Sequence, residues 1–211
     1  MKRCVILSGG DILCYKNAAA HILPGDFIVC ADSGYRHCKP LGATPNLLVG
    51  DFDSIGDMPC DVDILRYRAE KDFTDTNLAA DWALEHGFEA IVFMGATGGK
   101  RIEHSLANLQ TAAGCAEFCE ALFYDGHSYM QLVSASSPKS LYIDPREGHY
   151  FSLLALSEEC PGVTITGGKY PLDDYTLRYN EARAISNEFC GAPVQIKLNS
   201  GTLLIIITPM D

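Results

Sequence analysis

The sequence predicts an α/β layer built on a mostly parallel sheet, followed by a C-terminal all-β part of β-sandwich type. Three observations carry this. Short runs that are apolar throughout, such as CVIL at 4–7, FIVCA at 27–31 and AIVFM at 90–94, recur along the first half. Strands without polar alternation belong in a sheet covered on both faces. Helical patterns lie between the later runs, and beyond residue 127 strand-like segments follow one another with no comparable helix.

In chain order, the strands of the first half are expected at 4–7, 27–31, 47–49, 63–67, 90–94 and 121–124. A helix over 74–86 opens on a Thr/Asp cap and stops at Gly87. A second, over 102–119, places Leu106, Leu109 and Ala113 on one stripe. Later strands are expected at 131–134, 140–144, 150–156, 163–166, 194–198 and 202–207, with KLNSGTLLIII read as a hairpin turning on Asn-Ser-Gly. The change of texture near 126–129 divides the chain into an α/β domain, 1–126, and a β-domain, 127–211.

Composition narrows the function classes. With 211 residues, 47% hydrophobic and 20% charged, the chain can bury a sizeable core. No apolar run reaches the roughly 18 residues of a membrane span. The N-terminal MKRCVILSGGD has too short an apolar run for a secretion signal and reads as a first strand, so export is not expected. Nine cysteines without a Cys-x-x-Cys pair suit reduced, buried thiols and a cytoplasmic setting. A net charge of −11 argues against nucleic acid, but leaves a nucleotide open if a metal ion stands between phosphate and carboxylate.

The chemistry-bearing residues fall at strand ends, where open α/β sheets collect ligands. Asp32 follows the second expected strand, and Asp51 and Asp53 follow the third in VGDFDSI. Two carboxylates two residues apart repel unless a cation lies between them, and magnesium takes such oxygens while keeping substrate phosphates as further ligands. EKDFTDTN sets Lys71, Asp72 and Asp75 at a helix start; the same acids also suit capping. GATGGKRIEH, after the fifth strand, joins Gly98 and Gly99 to Lys100, Arg101, Glu103 and His104. Glycines there let backbone N–H groups meet an anion at a helix N-terminus, though the pattern is neither a Walker loop nor Gly-x-Gly-x-x-Gly. Together these residues suit phosphoryl transfer, where positioning and charge neutralisation dominate.

ADSGYRHCKPLGATPNLLVGDFDSI, EKDFTDTNLA, GATGGKRIEHSLANLQ and the later GGKYPL and TLRYNEARAISNE resemble, in this order, the motifs of the thiamine pyrophosphokinase family. The resemblance implies an ATP-handling α/β domain, a C-terminal β-sandwich that binds thiamine, and a homodimer with the substrate between subunits. It also implies transfer of pyrophosphate from magnesium-bound ATP to the thiamine hydroxyl, with release of AMP. Carried onto this chain, Asp51, Asp53 and Asp75 ligate magnesium, with Asp72 nearby and Asp32 close to the metal and the substrate hydroxyl. Lys71, Gly98, Gly99, Arg101, Glu103 and His104 serve ATP. Tyr170 faces the thiamine rings, and Ser186 and Asn187 help form that pocket. Glu103 stands where the family pattern has Asp, with an extra residue ahead of it. The alternatives are a pyrophosphokinase for another hydroxymethyl substrate such as a pterin, a hydrolase using Asp51 as phosphoryl acceptor, and a non-catalytic thiamine- or nucleotide-binding dimer.

Overall fold

The computed structural model describes residues 1–51, 62–67, 72–134 and 140–210. Strands β1 (Arg3–Leu7), β2 (Phe27–Ala31), β3 (Leu47–Gly50), β4 (Asp63–Arg66), β5 (Ala90–Met94) and β6 (Glu120–Tyr124) pair in parallel, in the order β6-β5-β1-β2-β3-β4. Except in the edge strand β4, which is largely exposed, their apolar runs are buried on both sides, because alternate side chains leave opposite faces of a sheet that is covered on each. Cys4, Ile6, Val29 and Phe93 pack on one face, whereas Val5, Leu7, Ile28 and Val92 pack on the other.

Helices α3 (Asp75–Glu85) and α4 (Ile102–Cys115) cover the first of these faces. Ala79, Ala80 and Ala83 of α3 are fully buried, and such small side chains bring the helix close to the strands. Thr74 caps α3 by accepting a hydrogen bond from the Asn77 N–H at 3.2 Å. Trp82 stacks on Phe27, ring centroids 5.3 Å apart, and so belongs to packing. The other face is covered by α1 (Tyr15–Ala19), a 3-10 helix over Asp32–His37, and α2 (Cys38–Leu41). None of these three was expected, since four to six residues are too few to show a helical period. No helix among the described residues is long and apolar enough to cross a membrane.

The main sheet continues into the second half. Strands β7 (Tyr129–Ser134), β9 (His149–Ala155), β12 (Asn187–Glu188) and β14 (Thr202–Pro209) extend it to ten strands, all antiparallel in their pairing from β6 outward. Residues 126 and 127 lie in the tight connection between the paired strands β6 and β7. A second sheet has the order β11-β10-β13-β8, from β8 (Ser140–Ile143), β10 (Glu159–Thr166), β11 (Leu172–Arg178) and β13 (Val194–Lys197). Between the sheets Phe151, Leu153 and Ile205 meet Val163, Ile165, Leu177 and Ile196, the core of a sandwich. Strand β11 is an edge strand whose Asp173 and Asp174 stay exposed, which hides it from an apolar-run reading and protects the edge.

One expectation fails. KLNSGTLLIII is not a hairpin: β13 pairs with β8 and β10, whereas β14 pairs with β7 and β9. Both strands carry a row of apolar side chains that needs burial. Placing the strands on facing sheets buries Val194 and Ile196 against Leu203 and Ile205 in one core, so the connection crosses between layers.

Glycine is obligatory where backbone lies directly on backbone. A Cβ on Gly34 would stand 1.9 Å from the Leu7 carbonyl oxygen, whereas one on Gly114, in α4, would meet nothing within 4 Å. Gly34→Ala is therefore expected to destabilise by about 3 kcal/mol or more, since only main chain can move. Gly114→Ala should be neutral to stabilising by about 0.5–1 kcal/mol. Urea unfolding of the two variants beside the parent checks both signs.

Candidate active site

Strand β1 lies between β2, which follows it, and β5, which returns on its other side. At such a switch point the connections leave in opposite directions and open a crevice beyond the carboxyl ends of the strands. A cleft of about 580 Å³ lies there, lined by Ser8–Asp11 after β1, Asp32, Ser33 and Arg36 after β2, and Thr74–Thr76 at the start of α3. Gly95, Ala96, Gly98–Arg101, His104 and Asn108, after β5 and along α4, complete it.

The acidic side forms around a glycine. Gly50, the last residue of β3, has φ +152°, and a Cβ there would lie 3.3 Å from Asp32 Cα and Cβ and 3.3 Å from Asp75 Oδ1. Asp32 and Asp75 thus converge on the residue that precedes Asp51, itself half-buried. Asp32 adopts φ +44°, a left-handed conformation that costs a non-glycine residue about 1 kcal/mol and that Asp and Asn tolerate best. Asp75 is held as the first residue of α3, next to the buried Thr76, whose Oγ1 shares a hydrogen bond with Ser8 Oγ at 2.9 Å. A donor set of carboxylate oxygens fits a hard divalent cation such as magnesium. Asp53 lies outside the described residues. Asp72 is not on this cleft; it lines a separate groove between α3 and α4 with Phe73, Asn77 and Phe118.

The glycine-rich loop forms the other wall. Gly95, Gly98 and Gly99 have φ of +62°, +79° and +84°, which L side chains rarely adopt, and leave main chain facing the cleft. The loop is tied down from below: Gly10 N donates to Gly95 O at 2.6 Å, and Asn108 Nδ2 donates to Ala96 O at 2.7 Å. It leads into the N-terminus of α4, whose unpaired N–H groups favour negative charge. Lys100, Arg101 and His104 line the cleft. Arg101 Nε also donates to Glu103 Oε1 at 2.8 Å, and this bond holds the Glu103 carboxyl below its ordinary pKa. Glu103 is not among the lining residues, and Lys71 lies outside the described ones.

Several lining residues escaped the sequence reading: Ser8, Gly9, Gly10, Asp11, Ser33, Arg36 and Asn108. The signal for the first four was the SGGD that ends the first strand, a glycine pair at a strand end like the one after Met94. Nothing in the pattern marks Arg36 or Asn108. Beneath the cleft, His37 is 1% exposed and joins three elements. Its Nδ1 accepts from Tyr15 Oη at 2.8 Å, and its Nε2–H donates to Gly10 O at 2.9 Å. A nitrogen that donates cannot also accept, so Arg36 Nε, 3.4 Å from Nε2, is a contact rather than a hydrogen bond. Burial lowers the His37 pKa and the Arg36 charge lowers it further, opposed in part by hydrogen bonding to the Gly10 and Ser8 backbone and, least, by the Asp11 charge.

The residues expected to serve thiamine gather elsewhere, and none of them lines the 580 Å³ cleft. Tyr170 is 56% exposed, and Ser186 is exposed at φ +53° with its N–H bonded to Ser152 Oγ at 2.9 Å. Asn187 is buried and turned inward. Its Oδ1 accepts from Tyr170 N at 2.9 Å and its Nδ2 donates to Tyr170 O at 2.7 Å. The amide thus clamps the backbone of Tyr170, and its side chain is committed to that loop.

The His37 environment sets a pH dependence. A histidine with a lowered native pKa binds fewer protons folded than unfolded, so stability falls as pH drops below about 6.5, the unfolded value. His21, lowered chiefly by burial, adds in the same direction. Urea midpoints recorded between about pH 7.5 and 5.5 should fall with pH, and less steeply in His37→Gln, which keeps an amide for Gly10 O but does not titrate.

Comparison with known proteins addresses both halves of the chain. Residues 22–122 match the model of the thiamin pyrophosphokinase catalytic domain, and residues 140–203 match that of the thiamin pyrophosphokinase vitamin B1 binding domain. A curated thiamine pyrophosphokinase of Bacillus subtilis is 29% identical over 214 residues, covering 98% of each chain. The crystal structure of thiamine pyrophosphokinase from Bacillus subtilis superposes with a TM-score of 0.86 at 27% identity, covering 100% of both chains. That of yeast thiamin pyrophosphokinase, at 14% identity, has a TM-score of 0.76 over 99% of this chain and 86% of its own, and so shares the fold. Matched in both halves by models of one family, and in full length by its relatives, the chain belongs to the thiamin pyrophosphokinase family.

Proposed function

We propose that this chain is a thiamine pyrophosphokinase that transfers the pyrophosphoryl group of magnesium-bound ATP to the hydroxyl of thiamine and releases AMP. The observation that carries this reading is the convergence of Asp32 and Asp75 at Gly50, in a cleft whose other wall is a glycine-rich loop with Lys100 and Arg101. The full-length relatives of that name support it.

In this reading Asp32, Asp51 and Asp75, with Asp53, hold magnesium. The metal, when bound, neutralises phosphate charge and polarises the transferred group. The glycine N–H groups, Lys71, Lys100, Arg101 and the α4 terminus orient the phosphates. The thiamine oxygen bonds to the β-phosphorus while the bond from that phosphorus to the oxygen bridging to the α-phosphorus breaks, and AMP carries that oxygen away. The hydroxyl proton leaves to solvent or to an Asp32 oxygen, and a loose transition state asks little of the base. Tyr170 and Ser186 contact thiamine, whereas Asn187 holds Tyr170 in place through its backbone. A homodimer with the substrate between subunits suits the exposure of Tyr170 (56%) and Ile185 (44%), which leaves apolar surface around Ser186 for a second copy to cover. Residues 1–126 then serve ATP, residues 127–211 serve thiamine and assembly, and the cytoplasm supplies the nucleotide.

The deciding experiment incubates the protein with ATP, magnesium and a panel of hydroxymethyl acceptors that includes thiamine and a pterin, with mass analysis of products. Thiamine diphosphate with AMP is expected. A pterin diphosphate, or ADP in place of AMP, overturns the assignment. Chelation of divalent metal should abolish turnover, and added magnesium should restore it. Asp32→Asn keeps a residue that tolerates φ +44°, so its fold should survive while kcat drops by about a hundredfold or more. Thermal unfolding alongside the rate assay separates the two effects.

A further inference from the structure

We infer that Arg36 is a polyphosphate-binding residue of the cleft, meeting the nucleotide from the Gly9–Gly10 side. The inference rests on the reading of this cleft as an ATP site. Arg36 lies one turn beyond Asp32 on the 3-10 helix, and both line the cleft. Its Nη2 donates to Gly9 O at 2.6 Å and to Gly10 O at 2.9 Å. Two carbonyl groups fix the plane of the guanidinium without cancelling its charge.

The nearby acid does little more. Asp11 Oδ1 is 4.0 Å from Nη2, and the two side chains are 61% and 52% exposed, so solvent screens most of the attraction. The neighbouring His37 is neutral and already bonded through both nitrogens, so it neither repels the arginine nor competes for an anion. Among the described residues no acceptor engages Arg36 Nη1, which leaves a donor of the planar fork for a ligand. Arg101, by contrast, has its Nε committed to Glu103. An arginine oriented by backbone, charged and facing a cleft with its own glycine N–H wall has the geometry that favours phosphate.

Two substitutions separate charge from scaffolding. Arg36→Gln retains an amide for the Gly9 and Gly10 carbonyls but loses the charge, and Arg36→Lys retains the charge but loses the fork. Binding of inorganic tripolyphosphate, ATP and adenosine, each with magnesium, is measured by calorimetry beside thermal unfolding. Arg36→Gln is expected to weaken tripolyphosphate and ATP by about tenfold, the loss of one charge-assisted hydrogen bond, and to leave adenosine and the melting temperature near parent values. Arg36→Lys should recover part of that loss. Parent-like tripolyphosphate binding by Arg36→Gln overturns the inference, as does equal weakening of adenosine and tripolyphosphate, which marks a wall-building role alone. Parent protein that binds tripolyphosphate but forms no AMP refutes the functional reading instead, while the same titrations still decide Arg36.

Discussion

The active-site end of this molecule depends on main chain packed against main chain. Gly34 lies on the Leu7 carbonyl, Gly10 donates to the Gly95 carbonyl at 2.6 Å, and Gly50 leaves space between Asp32 and Asp75. The first two contacts leave no room for a β-carbon, and at Gly50 one would press on both aspartates at 3.3 Å. Without them the loops after β1, β2, β3 and β5 would splay, and residues from four strand ends could not share one cleft. Ser8–Thr76 and Asn108–Ala96 hydrogen bonds then fasten α3 and α4 to the same floor. The groups bonded in these pairs stiffen the floor, because each would lose more by opening than water returns, although the buried Asn108 Oδ1 has no partner among the described residues.

An acidic chain that handles a polyanion needs its charges sorted by position. The carboxylates Asp32 and Asp75 gather at Gly50, where a hard cation suits them, whereas the glycine loop after β5 and the start of α4 bring Lys100 and Arg101 to the same cleft. Glu103 holds part of Arg101, and the floor histidine is kept neutral by its burial and by Arg36. The thiols take no part in this electrostatics. Burial pushes Cys115 up to about 12 and Cys119 up to about 11; all eight described cysteines are free, and the buried ones, Cys4, Cys30, Cys38, Cys115 and Cys160, act as small apolar groups in the core.

The C-terminal half is attached through hydrogen bonds rather than through a linker. Pairing of β6 with β7 carries the parallel sheet into an antiparallel one, and the second sheet packs over that extension. This continuity places the Tyr170 loop on a rigid support. Asn187 of the short strand β12 grips the backbone of Tyr170 from one side, and Gly168 bridges to Phe189 beside it. The exposed aromatic ring is thus held by its own main chain, with Lys169 Nζ 5.5 Å from its centroid.

Much of the framework was legible because apolar runs and helix caps are local signals. The strand at 27–31, the strand at 90–94 and the Thr74 cap are found where the residues predicted them. Strand β11 was not, since exposed acids on an edge resemble a turn, and the expected hairpin after residue 194 became a crossing between sheets. The same division runs through the site. Asp32, Asp75 and the glycine loop announce themselves by residue type at strand ends, and the family motifs add to this. Sequence alone therefore determined the layers, the acidic and glycine-rich elements and the family they resemble. Tertiary structure alone decided that Asp72 turns to another groove, that Asn187 is spent on Tyr170, and that Ser8, Arg36 and His37 build the cleft floor. The reason is physical: residue type and period report what a side chain prefers, whereas its partners depend on which distant backbones close around it.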